Sequence, residues 1–397
     1  MRIPELLAPA KDLRKAKIAI MYGADAVYIG GKHYSLRSRA SNFDLKEIEE
    51  AVFFAHAHNA KIYVTVNIVF HDDDLAGIKE YLRALDEIGI DAIIVESLGL
   101  ISLCKKEGYH FETHVSTQFS SLNSKAVSFL ASMGVERVVL AREATMEEIE
   151  EISSKVNTPL EVFIHGGMCA NVSGRCTLSN WMTNRDANRG GCAQSCRWRY
   201  SLYEEDKDIS CPNIPFSMGS KDLMALAAIK RMCEANVASL KIEGRMKSDY
   251  YIATVVRTYR FYLDMLKNGE DPSLLWFEKE IAKAENRSFS SGFLLTKMDA
   301  SKQLYGEGEG ARHDYVADIL SYDEKSGQAL ILTHNPFKIG DSLEAFGPHL
   351  PNTIFTLKGI KDEDGNMIEA ANSPMSKVYI SLPFKVEEGD MIRKVLL

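Results

Sequence analysis

From the N-terminus to about residue 246, short apolar and β-branched runs alternate with amphipathic stretches, the pattern of repeated βα units. The runs ELLAPA from Glu5, AVYIGG from Ala26, IYVTVN from Ile62, AIIVES from Ala92, FETHVS from Phe111, RVVLARE from Arg137, EVFIHG from Glu161 and SLKIEGR from Ser239 read as eight strands. Between them, segments such as LKEIEEAVFFAHAHN and DLAGIKEYLRALDEIG repeat apolar residues at three- and four-residue spacing, and several end on Gly or Asn just before the next strand, as helix C-caps do. Eight strands with crossover helices predict a TIM-like (β/α)8 barrel.

After Arg245 the alternation stops. A long amphipathic helix is expected from about Ser248 to Lys267 and a second from Pro272 to Glu285; from about Gly306 the chain turns into short strands and tight turns, the texture of a small antiparallel β-barrel. The expected organisation is therefore a barrel domain over 1–300 and a small β-domain over 306–397. The barrel carries an insertion at about 167–220, in a loop of roughly seventy residues between the seventh and eighth strands that is closed by the helix-like SKDLMALAAIKRMCEAN.

Polar residues gather at the C-terminal ends of the predicted strands: Asn67, Glu96, His114, Arg142, Glu143, His165, Glu243 and Arg245, with Glu5 breaking the pattern. In a parallel barrel that end is the catalytic face. Composition then narrows the class. The chain of 397 residues is 46% hydrophobic and 26% charged, ordinary for a globular enzyme, and no stretch approaches the ~20 apolar residues that cross a bilayer. The opening MRIPELLAPAKDL lacks a secretory apolar core, so seven cysteines are expected to meet a reducing cytoplasm, where thiols bind metals and do not pair. The net charge of −8 argues against a surface coated in basic residues, yet Arg175, Arg185, Arg189, Arg197 and Arg199 face the single acid Asp186 within one segment. Such a segment suits a docked polyanion, or a counter-charge to anionic thiolates.

That segment also holds Cys169, Cys176, Cys192 and Cys196, spaced C-x6-C-x15-C-x3-C. Four thiolates fit an iron–sulfur cluster or a tetrahedral zinc, and the spacing is looser than a zinc ribbon and unlike a simple ferredoxin. Cys104, in the apolar context LGLISLCKKEG, reads as a core residue, and Cys211 lies in a loop before Pro212. A zinc peptidase would want an H-E-x-x-H pattern, which is absent, and a cysteine peptidase would need one uncommitted thiol beside a histidine.

The run EVFIHGGMCANVSGRCTLS closely resembles the signature of the collagenase-like peptidase family, and ELLAPA, GADAVYIGG, HVSTQ, LAREAT, RGGCAQSCRWRY and SLKIEGRMKSDYY extend the resemblance over nearly the whole chain. The better-understood branches of that family are oxygen-independent hydroxylases with a four-iron cluster, acting on a tRNA wobble uridine with prephenate, on a ribosomal RNA cytidine, or on quinone precursors. This chain is most similar to the tRNA 5-hydroxyuridine branch. The resemblance implies that Cys169, Cys176, Cys192 and Cys196 hold a 4Fe-4S cluster, with Cys233 as an alternative to Cys196; Met224 stands where some relatives carry a cysteine. It further implies tRNA as partner, prephenate as co-substrate and, as in some relatives, a homologous partner subunit; a peptidase and a zinc-stabilised RNA-binding protein remain the alternatives. On this reading Arg142, Lys241 and Arg245 clamp carboxylates, while Arg175, Arg189, Arg197 and Trp198, with Trp181, receive the RNA. His165, Glu143, His114 and Glu243 are the candidates for proton handling.

Overall fold

The computed structural model describes residues 2–36, 42–211, 216–296 and 315–395. Six strand–helix repeats and a seventh strand open the chain: β1 (Glu5–Pro9), α1 (Leu13–Met21), β2 (Ala26–Gly30), α2 (Leu45–Ala57), β3 (Lys61–Val66), α3 (Ile78–Ile88), β4 (Ala92–Val95), α4 (Leu98–Glu107), β5 (Glu112–Val115), α5 (Ser124–Ser132), β6 (Arg137–Val139), α6 (Met146–Lys155) and β7 (Leu160–Gly166). The inserted segment carries α7 (Leu178–Thr183), a hairpin of β8 (Tyr203–Glu204) and β9 (Lys207–Asp208), and then β10 (Asp222–Met224) and α8 (Ile229–Glu234). The eighth barrel strand is β11 (Ser239–Ile242), followed by α9 (Asp249–Lys267), α10 (Leu274–Ile281) and the short β12 (Phe289–Ser290).

The parallel order β11-β1-β2-β3-β4-β5-β6-β7, with β11 also paired to β7, closes the barrel. All eight predicted strands are present. Local signals explain the helix starts. Asp12, Asn123 and Ser248 accept backbone N–H bonds at N-caps, and Asp44 and Thr145 form reciprocal capping boxes with Glu47 and Glu148. The main core lies between strands and helices, while Leu7, Ala26, Tyr28, Tyr63, Ala92 and Ile94 pack as a separate apolar layer inside the barrel.

Three expectations need correction. SKDLMAL opens as the strand β10, not a helix, because it pairs antiparallel with the end of β7 (Met224 with His165) and parallel with β12. The helix expected over Pro272–Glu285 is shorter, Leu274–Ile281. The first residue of β7 is Leu160, one before the predicted start. The domain boundary placed between 300 and 306 lies outside the described residues.

Ten further strands between Tyr315 and Lys394 form an antiparallel eight-stranded sheet and a two-stranded ribbon round a core that includes Val316, Ile331, Leu343 and Ile392. This β-domain is fastened to the barrel by buried polar contacts. Arg257 of α9 donates to the carbonyls of Gly347 and Leu350 and to Asn352 at 2.7–2.8 Å, while Arg393 is ion-paired with Glu280 of α10 and with Glu344. No helix among the described residues is long and apolar enough to cross a membrane.

Candidate active site

At the C-terminal end of the barrel a cavity of about 230 Å³ opens under the inserted segment. Tyr28, Phe163 and Lys241 form its floor; Thr65, Asn67, Ser116, Gln118, Arg142, Glu243 and Arg245 its walls; and the four cysteines Cys169, Cys176, Cys192 and Cys196 its roof. The inserted segment and the barrel mouth thus make one site.

The roof is held turn by turn. Gly166 takes φ +99°, and a Cβ there would overlap the carbonyl oxygen of Glu243, so only glycine lets β7 end this close to the loop after β11. Glu143 accepts from Ser173 N at 2.8 Å and from Ser173 Oγ at 3.2 Å, pinning the turn between Cys169 and Cys176. Asn188 grips Cys176 from both sides, accepting from its N–H at 3.1 Å and donating to its carbonyl at 3.0 Å. Arg189 ties the same loop to the barrel through Val69 O and Asp74, each at 2.9 Å. Ser179 Oγ accepts from Ala193 N at 3.1 Å, beside Cys192, and Tyr200 Oη donates to Ser195 O at 2.6 Å, beside Cys196.

Cys169, Cys176 and Cys192 all lie near enough to Cys196 to act on its thiol, and all four line the cavity. Burial pushes the Cys196 thiol up, and Cys169 adds to this, with smaller contributions from Cys192 and Cys176 against the lowering effect of Arg197. Among the described residues no three His, Cys, Asp or Glu side chains already meet round one metal-ion position. Four adjacent thiols are the donor set of a soft-metal centre. The other cysteines are elsewhere: Cys104 and Cys233 lie in the main core, their thiols raised by burial to about 12 and about 11, and Cys211 is exposed outside the cavity. Cys233 thus lies apart from the cavity that Cys196 lines.

Besides Arg197, two cations stand in the walls and one in the floor. Arg142 lies 3.9 Å from the centroid of Phe163 and pairs with Glu243 at 3.4 Å. Arg245 crosses Gly30 to donate to Asn42 Oδ1 at 2.8 Å and Ser35 Oγ at 3.1 Å. Lys241 stands 4.5 Å from the centroid of Tyr28 and donates to Glu161 at 2.7 Å. Asn67 and Gln118, joined at 2.9 Å, add polar groups opposite.

The proton-handling candidates fare differently. Glu243 lines the cavity; the other three do not. His165 is 1% exposed, packed among Tyr251, Tyr259 and Phe289 outside the barrel wall, and burial drops its pKa to about 4, so it is neutral. The cause is a register shift between Lys241 and Ile242, which pairs Ile242 with His165 and turns His165 outward. His114 lies below the floor against Tyr63, its Nε2 bonded to Glu112 at 2.8 Å, with burial lowering its pKa. Glu143 is spent on Ser173. Of the RNA candidates, Arg197 lines the cavity, while Arg175 pairs with Glu96 at 2.9 Å and Arg189 is a tether. Trp198 is 42% exposed and Trp181 on α7 is 90% exposed. The strand-end pattern had flagged Asn67 but missed Gln118, Ser35 and Asn42; HVSTQ was the only sequence trace of Gln118.

Known proteins resemble this chain over almost its whole length. Residues 11–304 match the model of peptidase family U32, and residues 311–393 match the family U32 C-terminal domain. The chain is 44% identical over 400 residues to tRNA hydroxylation protein P1 of Bacillus subtilis (strain 168), covering 98% of this chain and 94% of that protein. It is 34% identical to tRNA hydroxylation protein P of Escherichia coli (strain K12), covering 97% and 95%. Over 263 residues it is 40% identical to the 23S rRNA 5-hydroxycytidine C2501 synthase of the same organism, covering 66% of this chain and 39% of that protein.

Proposed function

The chain belongs to peptidase family U32, and from that premise we propose that it is an RNA hydroxylase that converts a tRNA wobble uridine to 5-hydroxyuridine, with prephenate as co-substrate and a 4Fe-4S cluster on Cys169, Cys176, Cys192 and Cys196. The observation that carries the reading is the meeting of four thiols and four cationic side chains, Arg142, Arg197, Lys241 and Arg245, round one cavity. Supporting it, relatives aligned over almost the whole chain are named for tRNA hydroxylation.

Four thiolates lining one cavity are a donor set that an iron–sulfur cluster can use, and Cys169, Cys176, Cys192 and Cys196 would hold it. When bound, such a cluster supplies one-electron chemistry beside the cavity. The rest falls to the chain's own side chains. Arg142, Arg245 and Lys241 offer guanidinium and ammonium donors to the carboxylates of a small acid, and the rings of Tyr28 and Phe163 give its carbon skeleton an apolar seat. Glu243, paired with Arg142, is the carboxylate placed to hold or move a proton at the reacting centre.

The RNA meets the roof. Trp181 and Trp198 present exposed rings on which a splayed base can stack, and Arg185 and Arg199 are exposed with no ion-pair partner among the described residues. A cysteine peptidase would need a thiol with a histidine base, and no histidine lines the cavity among the described residues. Nucleoside analysis of tRNA from a strain lacking the gene tests the proposal. Loss of 5-hydroxyuridine, restored by the wild-type chain and not by Cys176→Ala, is expected; unchanged tRNA together with peptide release from gelatin by the purified protein would overturn it.

A further inference from the structure

Barrel interiors are usually filled by branched apolar residues, yet this one holds a column of paired charges. Glu5 opens β1, Arg137 opens β6, and Glu161 lies at the start of β7, all near the N-terminal mouth. Arg137 Nη1 donates to Glu5 Oε1 at 2.6 Å and to Glu161 Oε2 at 3.2 Å. The other oxygen of Glu161 accepts from Lys241 Nζ at 2.7 Å, one layer higher. Glu5 is braced in turn by Tyr63 Oη at 2.6 Å and Ser239 Oγ at 2.9 Å.

Two carboxylates thus face two cations, and the column is neutral within itself. Glu161 is completely buried. Burial works against its charge, but Lys241, then Arg137, outweigh it and hold the carboxyl below its ordinary value. A buried ion pair seldom adds stability over apolar packing of the same volume, so its retention asks for another use. The top of this column, Lys241, is in the cavity floor.

We propose that Glu161 is a positioning residue: anchored by Arg137 and Glu5, it fixes the Lys241 ammonium as a charged group in the cavity floor, where it receives a carboxylate of the co-substrate. This rests on the reading that the cavity takes a small carboxylic acid. Two features make the ammonium depend on Glu161. Its neighbours below and beside it, Tyr28, Phe163 and, across Glu161, Arg137, offer ring faces and a like charge. Above it Arg142 and Arg245 are also cations, and Glu243, the acid that lines the cavity among the described residues, pairs with Arg142. His114 lies near Glu161 and is buried, which disfavours its charged form. Without Glu161 a desolvated ammonium would face like charges, and its charged form would be lost as the pH rises.

The test is titration calorimetry of prephenate, with malonate as a generic dicarboxylate, into anaerobically purified full-length protein at several pH values. The ratio of Glu161→Gln to wild-type affinity is the quantity read, because other titrating groups cancel in it. It should be near one at about pH 6 and fall at least about tenfold by about pH 9, with Glu161→Asp restoring most of the loss. A ratio that stays constant with pH overturns the positioning role while leaving the carboxylate site intact. Wild-type protein that binds neither acid removes the carboxylate site and the proposal with it. Should Glu161→Gln fail to fold, Glu5→Gln at the column's far end carries the test, with a smaller fall in the same direction expected and no pH-dependent change overturning it.

Discussion

Gly30→Ala is a single-methyl perturbation whose consequence can be worked through. A Cβ at Gly30 would overlap the Arg245 guanidinium and stand 2.5 Å from Ser35 Oγ. Arg245 is buried and held by charge-assisted hydrogen bonds to Asn42 and Ser35, so the guanidinium must leave its seat. Each such bond contributes about 1.5–3 kcal/mol, and with partial recovery of partners elsewhere the expected loss is about 2–3 kcal/mol of folding stability. If the displaced cation no longer meets a carboxylate in the cavity, a similar energy is lost from binding, which is about 30- to 140-fold in Kd. Urea unfolding and calorimetric titration of prephenate read the two effects. Gly99→Ala serves as the control, because a Cβ there meets only Ser97 Oγ, at 3.5 Å. A Gly30→Ala protein that matches the control in both assays would refute the reasoning.

His165 is held neutral in the fold, with a pKa of about 4 against 6.5 in the unfolded chain. The unfolded state therefore binds the extra proton first, so stability should fall as the pH drops from about 6.5 toward 4, by up to about 3 kcal/mol, and His165→Phe should flatten that part of the pH–stability curve. Trp181→Ala should leave the melting temperature unchanged, since the ring is exposed, while weakening tRNA binding by about 1–3 kcal/mol in a fluorescence titration. Cys104→Ala should lower stability modestly with metal content and hydroxylation intact, whereas Cys176→Ala should abolish both; equal activity of the two variants would remove the four-thiolate centre.

Most of the barrel was legible because a parallel strand buried on both faces must be written as an unbroken β-branched or apolar run, and each run here is bounded by polar caps and turns. The cysteines were legible for a similar reason: thiols crowded among arginines and glycines serve poorly as packing. The phase of a strand's last residues was not legible. His165 follows the alternation toward the lumen until the register shift opposite Lys241 and Ile242 turns it outward, and that shift depends on β11 and on β10, which are distant in sequence. Glu143 sits at a strand end as a catalytic group would, but its partner Ser173 comes from the inserted loop. The charged column was visible in part: a glutamate opening β1, an arginine opening β6 and a glutamate heading β7 all interrupt runs that otherwise read as apolar. Their pairing across the lumen needed the closed barrel.

Anaerobic purification followed by iron, sulfide and zinc analysis tests most directly that the four thiolates hold a cluster. About four irons and four sulfides per chain, lost together in Cys176→Ala, are the expected result. Stoichiometric zinc with no iron would contradict it and leave the RNA-hydroxylase reading without its redox centre.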